Sequence, residues 1–396
     1  MVPASAGFFS VQRTDLRTSS RGFKPKTWPL KLETSMANLA SSQNGLLRYL
    51  IFFVTSRCNS RCVTCFYWQE MERAGSDFSL DEIERIAGHL GPLETLLLSG
   101  GEPTLRTDLA ELVETFFRHN GVRHVGLPTN GLLPERTRDL VEKILTRCPG
   151  MRLDVNVSLD DLGERHDAIR GVEGNFDCAL ETIRLAARLR ERFDNLFVNV
   201  ETVVFSANWQ HVCELLDFVR GRLDVNGHYV ELMRGNPRDG RLDLPPRSEI
   251  HRIHRLVLKN HLRYHADPRK KRWPHEMPYL HELYRWQERV LRGERWAALC
   301  PAACDVAVIE SDGRVRGCEL RGVIGDLRQC DYDLRRILES PQAATERREI
   351  ETTRCSCTHC VFIYQAFAVH SLPSERRRRW LERWFAVRRR IAKVLG

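Results

Sequence analysis

The chain has 396 residues and a formal net charge of +9, long enough for two or three domains around a sizeable core. Apolar residues make up 42% and charged residues 29%, a globular balance that excludes wholesale disorder. The longest apolar run, Tyr49 to Val54, is far too short to span a bilayer.

The charge is local. Residues 374–396 carry nine Lys/Arg against two Glu, which leaves only +2 for the rest. The basic balance therefore describes a tail and does not imply nucleic-acid binding. No secretory signal pattern opens the chain, so a reducing cytoplasmic location is expected. Of the thirteen cysteines, Cys58, Cys62 and Cys65 lie within eight residues, and seven lie between 300 and 360. Clustered thiols in a reducing compartment point to metal before disulfide.

Residues 1–45 are rich in Ser, Arg and Lys without periodicity and read as a flexible arm, with Met36 a candidate start. From residue 46, short apolar runs alternate with amphipathic stretches. The runs are 48–55, 94–99, 122–128, 151–159, 196–205 and 228–233. Helical patterns follow over 79–90, 107–119, 134–147, 176–193 and 208–221. The first opens on a capping box, Ser79 with Glu82. Six strand–helix units argue for a parallel α/β fold over 46–235, and six are too few for a closed eight-stranded barrel. A partial (β/α)6 TIM-like barrel is the expected form, with an open doubly wound sheet the alternative. Either puts chemistry on loops after the strands' C-terminal ends.

Residues 236–299 read as a helical linker. Its histidines, His251, His254, His261 and His265, lack carboxylate or cysteine partners at ligand spacing and are expected on solvated faces. Residues 300–365 form a second cysteine-bearing unit, a small α+β extension. Residues 366–396 read as a basic amphipathic helix.

Cys58-x3-Cys62-x2-Cys65 falls directly after the first strand. Three thiolates on one loop can hold three irons of a 4Fe–4S cube and leave the fourth iron open, whereas structural zinc needs four closed ligands. This spacing, with Phe66 after it, resembles the radical SAM superfamily. Ser99-Gly100-Gly101-Glu102-Pro103 is similar to that family's GGEP segment. Ser158-Leu159-Asp160, then His166-Asp167 and Ile169-Arg170-Gly171, follow in the family's order.

The resemblance implies that Gly100 and Gly101 let backbone approach the methionine part of S-adenosylmethionine (SAM). Glu102 would receive its amino group, and Ser158, Asp160 and Arg170 would hold the rest. Asn199 and Glu201 face either SAM or a neighbouring strand. The implied activity is reductive cleavage of SAM to a 5′-deoxyadenosyl radical, which abstracts hydrogen from a substrate carbon. It implies a reductant such as flavodoxin or ferredoxin.

Cys300 and Cys318 flank two apolar runs joined by Ser311-Asp312-Gly313, a hairpin that brings its ends together. Cys355-x-Cys357-x2-Cys360 follows. This resembles the SPASM/twitch extension, in its one-cluster form. Cys300, Cys318, Cys357 and Cys360 are the expected ligands of a second 4Fe–4S cluster, with Cys355 a substitute for one of them and a zinc ribbon the alternative. That cluster would take up an electron from the substrate.

In the tail, Trp380, Trp384, Phe385 and Ile391 recur at helical spacing among arginines. They form either an interfacial helix on an anionic membrane or a helix packed on the fold. The substrate expected is a small molecule or a lipid. The alternatives are a maturase of ribosomal peptides and a non-enzymatic iron–sulfur redox sensor. The GGEP-like segment speaks against the sensor.

Overall fold

The computed structural model describes residues 47–71, 77–267, 276–296 and 298–370. The expectations for 1–45 and for the tail helix over 374–396 lie outside the described residues.

The six expected strands are present as β1 (Tyr49–Phe53), β2 (Thr95–Ser99), β3 (His124–Thr129), β4 (Arg152–Ser158), β5 (Leu196–Val204) and β6 (Gly227–Leu232). The helices are α1 (Trp68–Met71), α2 (Leu80–Leu90), α3 (Leu109–Asn120), α4 (Pro134–Arg147), α5 (Glu164–Arg170), α6 (Asn175–Leu189) and α7 (Val212–Arg222). Each of these strands pairs in parallel with its predecessor, in the order β6-β5-β4-β3-β2-β1. A doubly wound sheet reverses its order at a switch point. No reversal occurs here, so the crossovers run one way round, and the fold is the expected partial barrel.

Alternation along the strands sorts residues to two faces. Leu50, Phe52, Leu96, Leu98, Val125, Leu127, Leu153, Val155, Val198 and Val200 join one buried core with residues of α2, α3, α4 and α6. The other face, toward the barrel interior, takes Arg152, Asp154, Asn156 and Ser158 from β4 and Asn199 and Glu201 from β5. The capping box of α2 is formed: Ser79 N–H donates to Glu82 Oε2 at 2.8 Å, and Glu82 N–H to Ser79 Oγ at 3.2 Å.

Residues 236–299 form α8 (Arg247–Ala266) and α9 (Glu276–Leu291). Two of the four histidines expected on solvated faces are buried. His254 bonds Glu288 and stacks on Tyr284, and His261 Nε2 bonds the His228 carbonyl at 2.8 Å. The reason is packing: α8 contacts β6, α7 and α9 together and keeps only a narrow wet face.

The later segment supplies β7 (Val306–Ile309), β8 (Arg314–Arg316), β9 (Val323–Asp326), α10 (Leu334–Leu338), α11 (Pro341–Thr353) and α12 (Cys360–His370). β7 and β8 are the expected antiparallel hairpin, turned through Gly313 at a φ of 106°. A feature not visible in the sequence is that β7 pairs in parallel with β1, Tyr49 to Val306, so one nine-stranded sheet runs through both cysteine-bearing parts. Arg328 and the Tyr332 hydroxyl, both following β9, donate to Glu82 at the start of α2.

Candidate active site at the open end of the barrel

The loop carrying Cys58, Cys62 and Cys65 leaves the C-terminal end of β1 and is held by four other loops. After β2, Gly101 N–H donates to Thr55 O and Glu102 N–H to Arg57 O, both at 2.8 Å. After β3, Asn130 Nδ2 donates to Asn59 Oδ1 at 2.7 Å and to Ser60 Oγ at 2.9 Å. At the end of α5, the Arg170 and Ile169 carbonyls accept from Arg61 and Val63 N–H. After β6, Arg238 and Asp239 N–H donate to the Cys65 and Val63 carbonyls. The three cysteines thus sit on a frame fixed by the barrel.

Each of the three sulfurs has an N–H directed at it. Ser60 N–H reaches Cys58 Sγ at 3.4 Å, Arg170 Nη1 lies 3.8 Å from Cys62 Sγ, and Tyr67 N–H bonds Cys65. Such bonds orient a thiolate ligand and tune the group it holds. Burial pushes Cys58 up to about 12 and Cys65 up to about 11, so a metal must supply the charge that deprotonates them. Three half-exposed thiols on one loop, with N–H donors aimed at sulfur, fit a three-thiolate 4Fe–4S cube. Among the described residues, no three His, Cys, Asp or Glu side chains converge to hold a single metal ion.

The two glycines serve a close backbone contact. A Cβ on Gly100 would lie 2.3 Å from Thr55 O, and one on Gly101 would lie 2.1 Å from Arg57 O. Gly100 also holds a φ of 134°, which a residue with a side chain avoids. Glu102 is buried and accepts four bonds from its own chain. They come from Thr104 N–H at 3.1 Å, Thr104 Oγ1 at 2.6 Å, Thr129 Oγ1 at 2.8 Å and Asn130 N–H at 2.7 Å. Three of these bonds fall on Oε1 and one on Oε2, and together they tie the loop after β2 to the loop after β3.

Ser158 is the last residue of β4 and is half-buried. Asp160, fully buried, accepts Val203 N–H at 2.9 Å and pairs with Arg170 Nη2 at 2.8 Å. Burial raises the Asp160 carboxyl against the pull of Arg170. Burial works against the Arg170 charge too, but Asp160 and Cys62 keep it held as a cation. Its Nε, also buried, has no hydrogen-bond partner among the described residues. His166 accepts Asp160 N–H through Nδ1, and burial together with Arg170 lowers it to about 3. Asp167 caps the next turn through Gly174 and Phe176 N–H.

On the interior face, level with Ser158, lies a charged group outside the motif-like segments. Asn199 Nδ2 bonds Asn156 Oδ1 at 3.0 Å. Glu201 lies opposite Ser158 on β4 and Tyr229 on β6. Burial and the Glu231 carboxylate push Glu201 up to about 7. Arg234 lies 3.6 Å from Glu231 and 3.8 Å from Glu319, and its guanidinium stands over the Phe66 ring. Glu319 is paired to His359. The available signal was the alternation Asn199, Glu201 and Tyr229, Glu231 in runs that are otherwise apolar.

The second cysteine group adjoins this interior. Backbone N–H groups two residues on bond Cys300, Cys318 and Cys357, the same turn seen at Cys58 and Cys65. Cys355 bonds Cys300, and that contact together with Arg321 lowers it to about 6. Cys360, the other expected ligand, lies 4.0 Å from His359 Nδ1 and shares a hydrogen bond with Glu231. The two cysteine units are joined directly: Arg314 of β8 pairs with Glu70 of α1, and Ser311 bonds Tyr67.

Residues 52–219 match the family model described as Radical SAM superfamily. A GTP 3′,8-cyclase of Lactiplantibacillus plantarum is 31% identical over 205 residues, which is 50% of this chain and 58% of that protein. The chain thus spans little more than half the length of this curated relative. Two solved structures share the fold. One is native anSMEcpe with bound AdoMet and Kp18Cys peptide, with a TM-score of 0.56 and 17% identity, covering 88% of this chain and 99% of that one. The other is Streptococcus suis SuiB bound to precursor peptide SuiA, with a TM-score of 0.53 and 15% identity, covering 80% and 70%. Among the described residues, no helix is long and apolar enough to cross a membrane.

Proposed function

We propose, for a chain whose residues 52–219 belong to the radical SAM superfamily, that it reductively cleaves SAM and abstracts hydrogen from a small-molecule substrate held in the barrel. The observation that carries this reading is the cysteine loop, clamped by the loops after β2, β3 and β6 and by α5, with Arg170 joining Cys62 to Asp160. Enzymes of this family bind a 4Fe–4S cluster and SAM, and together these supply a 5′-deoxyadenosyl radical.

The chain's own residues do the placing. Cys58, Cys62 and Cys65 would ligate the cluster. Arg170, with a buried Nε that has no partner among the described residues, offers donors to a carboxylate. Ser158, at the mouth of β4, offers a hydroxyl. Cys300, Cys318 and Cys357, with Cys355 or Cys360, would hold a second cluster beside the interior as electron acceptor. The 46–235 core, the 236–299 linker and the 300–365 extension are the proposed domains, although one sheet joins the first to the last. A flavodoxin- or ferredoxin-like carrier in the cytoplasm would supply the electron. The lipid alternative and the membrane contact rest on residues 374–396, outside the described residues.

A second reading has a peptide as substrate, and it is favoured by the peptides named in the two solved neighbours. The test is to incubate anaerobically reconstituted protein with SAM, dithionite and a cell extract split by size into small-molecule and peptide fractions. The proposal predicts that the small-molecule fraction stimulates 5′-deoxyadenosine formation. Stimulation by the peptide fraction alone would replace it with the second reading.

A further inference from the structure

The loop after β6 stands between the two cysteine units. On one side, Arg238 and Asp239 N–H donate to the Cys65 and Val63 carbonyls at 3.1 and 3.0 Å. At Gly235 the loop meets both units at once. A Cβ there would lie 2.9 Å from Phe66 Cβ and 3.0 Å from Leu320 Cδ2. Phe66 directly follows Cys65, and Leu320 lies two residues past Cys318.

Arg234 is the charged residue of this contact. Its guanidinium carbon stands 5.2 Å from the centre of the Phe66 ring. Its Nη1 lies 3.6 Å from Glu231 Oε2 and its Nη2 3.8 Å from Glu319 Oε2. Glu319 directly follows Cys318, and its side chain is 3% exposed. Glu319 also pairs with His359, which sits between Cys357 and Cys360, its Nδ1 4.0 Å from Cys360 Sγ. The first cysteine loop thus fixes Arg234 in place, and its charge is turned to carboxylates at the second group.

Taking up an electron adds negative charge to an iron–sulfur cluster, and its potential follows the net charge around it. Away from solvent ions such charges are weakly screened. Carboxylates there oppose reduction, and a cation that balances them favours it. We propose that Arg234 is a positioning residue for the second cysteine group: by balancing Glu231 and Glu319 it raises the reduction potential of the cluster held there. The inference deepens the proposed function and rests on the second group holding a 4Fe–4S cluster.

The test is a redox titration of the anaerobically reconstituted holoenzyme, followed by electron paramagnetic resonance. The Cys58→Ala/Cys62→Ala/Cys65→Ala variant, titrated beside it, assigns the second cluster's signal. Arg234→Gln should shift that cluster's reduction equilibrium about tenfold or more toward the oxidised form, about 59 mV for a one-electron couple. Glu319→Gln should shift it the opposite way, and Arg234→Lys should restore the wild-type potential. Opposite signs are the mark of charge, since a packing defect gives no such pair. An Arg234→Gln variant with full iron and an unchanged or more positive potential overturns the proposal. Should Arg234→Gln lose iron, an unchanged or more negative potential in Glu319→Gln overturns it. Iron loss in Arg234→Gln and Arg234→Lys alike would make Arg234 a packing residue and overturns it too. 5′-Deoxyadenosine formation by the same wild-type sample separates the two readings. Its presence with an unmoved potential defeats this inference alone, and its absence defeats the proposed function. A wild type with no second-cluster signal defeats this inference together with the electron-acceptor role.

Discussion

Arg170 stands between Asp160 and Cys62, its Nη2 2.8 Å from the carboxylate and its Nη1 3.8 Å from the sulfur. One side chain thus connects the end of β4 to the proposed cluster loop, while its backbone carbonyl holds Arg61 N–H. A charged hydrogen bond in such a setting is worth about 1.5–3 kcal/mol. Arg170→Ala should therefore weaken SAM binding roughly 10- to 150-fold without loss of iron. Calorimetric titration beside an iron assay checks this. Unchanged affinity would place the SAM carboxylate elsewhere.

Glu102 makes a different prediction from the one its motif suggests. Removing its carboxylate leaves Thr104, Thr129 and Asn130 donors buried without partners, each costing about 1–3 kcal/mol. Glu102→Ala should lower folding stability by at least about 3 kcal/mol, as read by denaturant unfolding. A variant of normal stability that loses only SAM affinity would return Glu102 to the role of ammonium acceptor.

Glu82 tests the link between the barrel and the later segment. Although partial burial opposes its charge, bonds from Arg328, Ser79 N–H and Tyr332 hold it down to about 2. A depressed carboxylate contributes stability that is present above its unfolded pKa of about 4.3, and that is lost as pH falls through the folded value. Glu82→Gln should cost about 1 kcal/mol near neutrality after allowance for solvent screening. The gap to wild type should close between about pH 5 and pH 2. A gap independent of pH would mean that the charge of Glu82 does not join the two parts.

Much of this architecture was readable in the sequence. The six strands and the capping box came from apolar periodicity and from Ser79 with Glu82, which are local signals. The pairing of β7 with β1 was not readable, because parallel partners nearly 260 residues apart leave no local mark. The Cys58, Cys62, Cys65 loop was legible as spacing. The use of Glu102 as an internal tie was not, because its donors come from two different loops. His254 and His261 were misplaced because a helix packed on several sides keeps polar residues in its sequence while burying them. Glu231 and Arg234, three residues apart, carry no motif, and Glu319 reaches them only through the returning segment.

The second cysteine group gives a stoichiometric prediction. Anaerobically reconstituted protein should hold about eight irons, two cubes of four. Replacing Cys300 and Cys318 together should leave about four. Single replacement of Cys355 and of Cys360 identifies the remaining ligand, and the contact between Cys300 and Cys355 puts Cys355 first. About four irons with one tightly bound zinc in wild type would make the extension a zinc ribbon and remove its role as electron acceptor.

The central claim is that the loop after β1 carries the radical chemistry. The most direct measurement is 5′-deoxyadenosine formed by anaerobically reconstituted protein with SAM and dithionite, compared with the Cys58→Ala/Cys62→Ala/Cys65→Ala variant. The account predicts formation by wild type and none by the triple variant, while the variant keeps its second cluster. Undiminished formation by the triple variant, or none by fully loaded wild type, would contradict it.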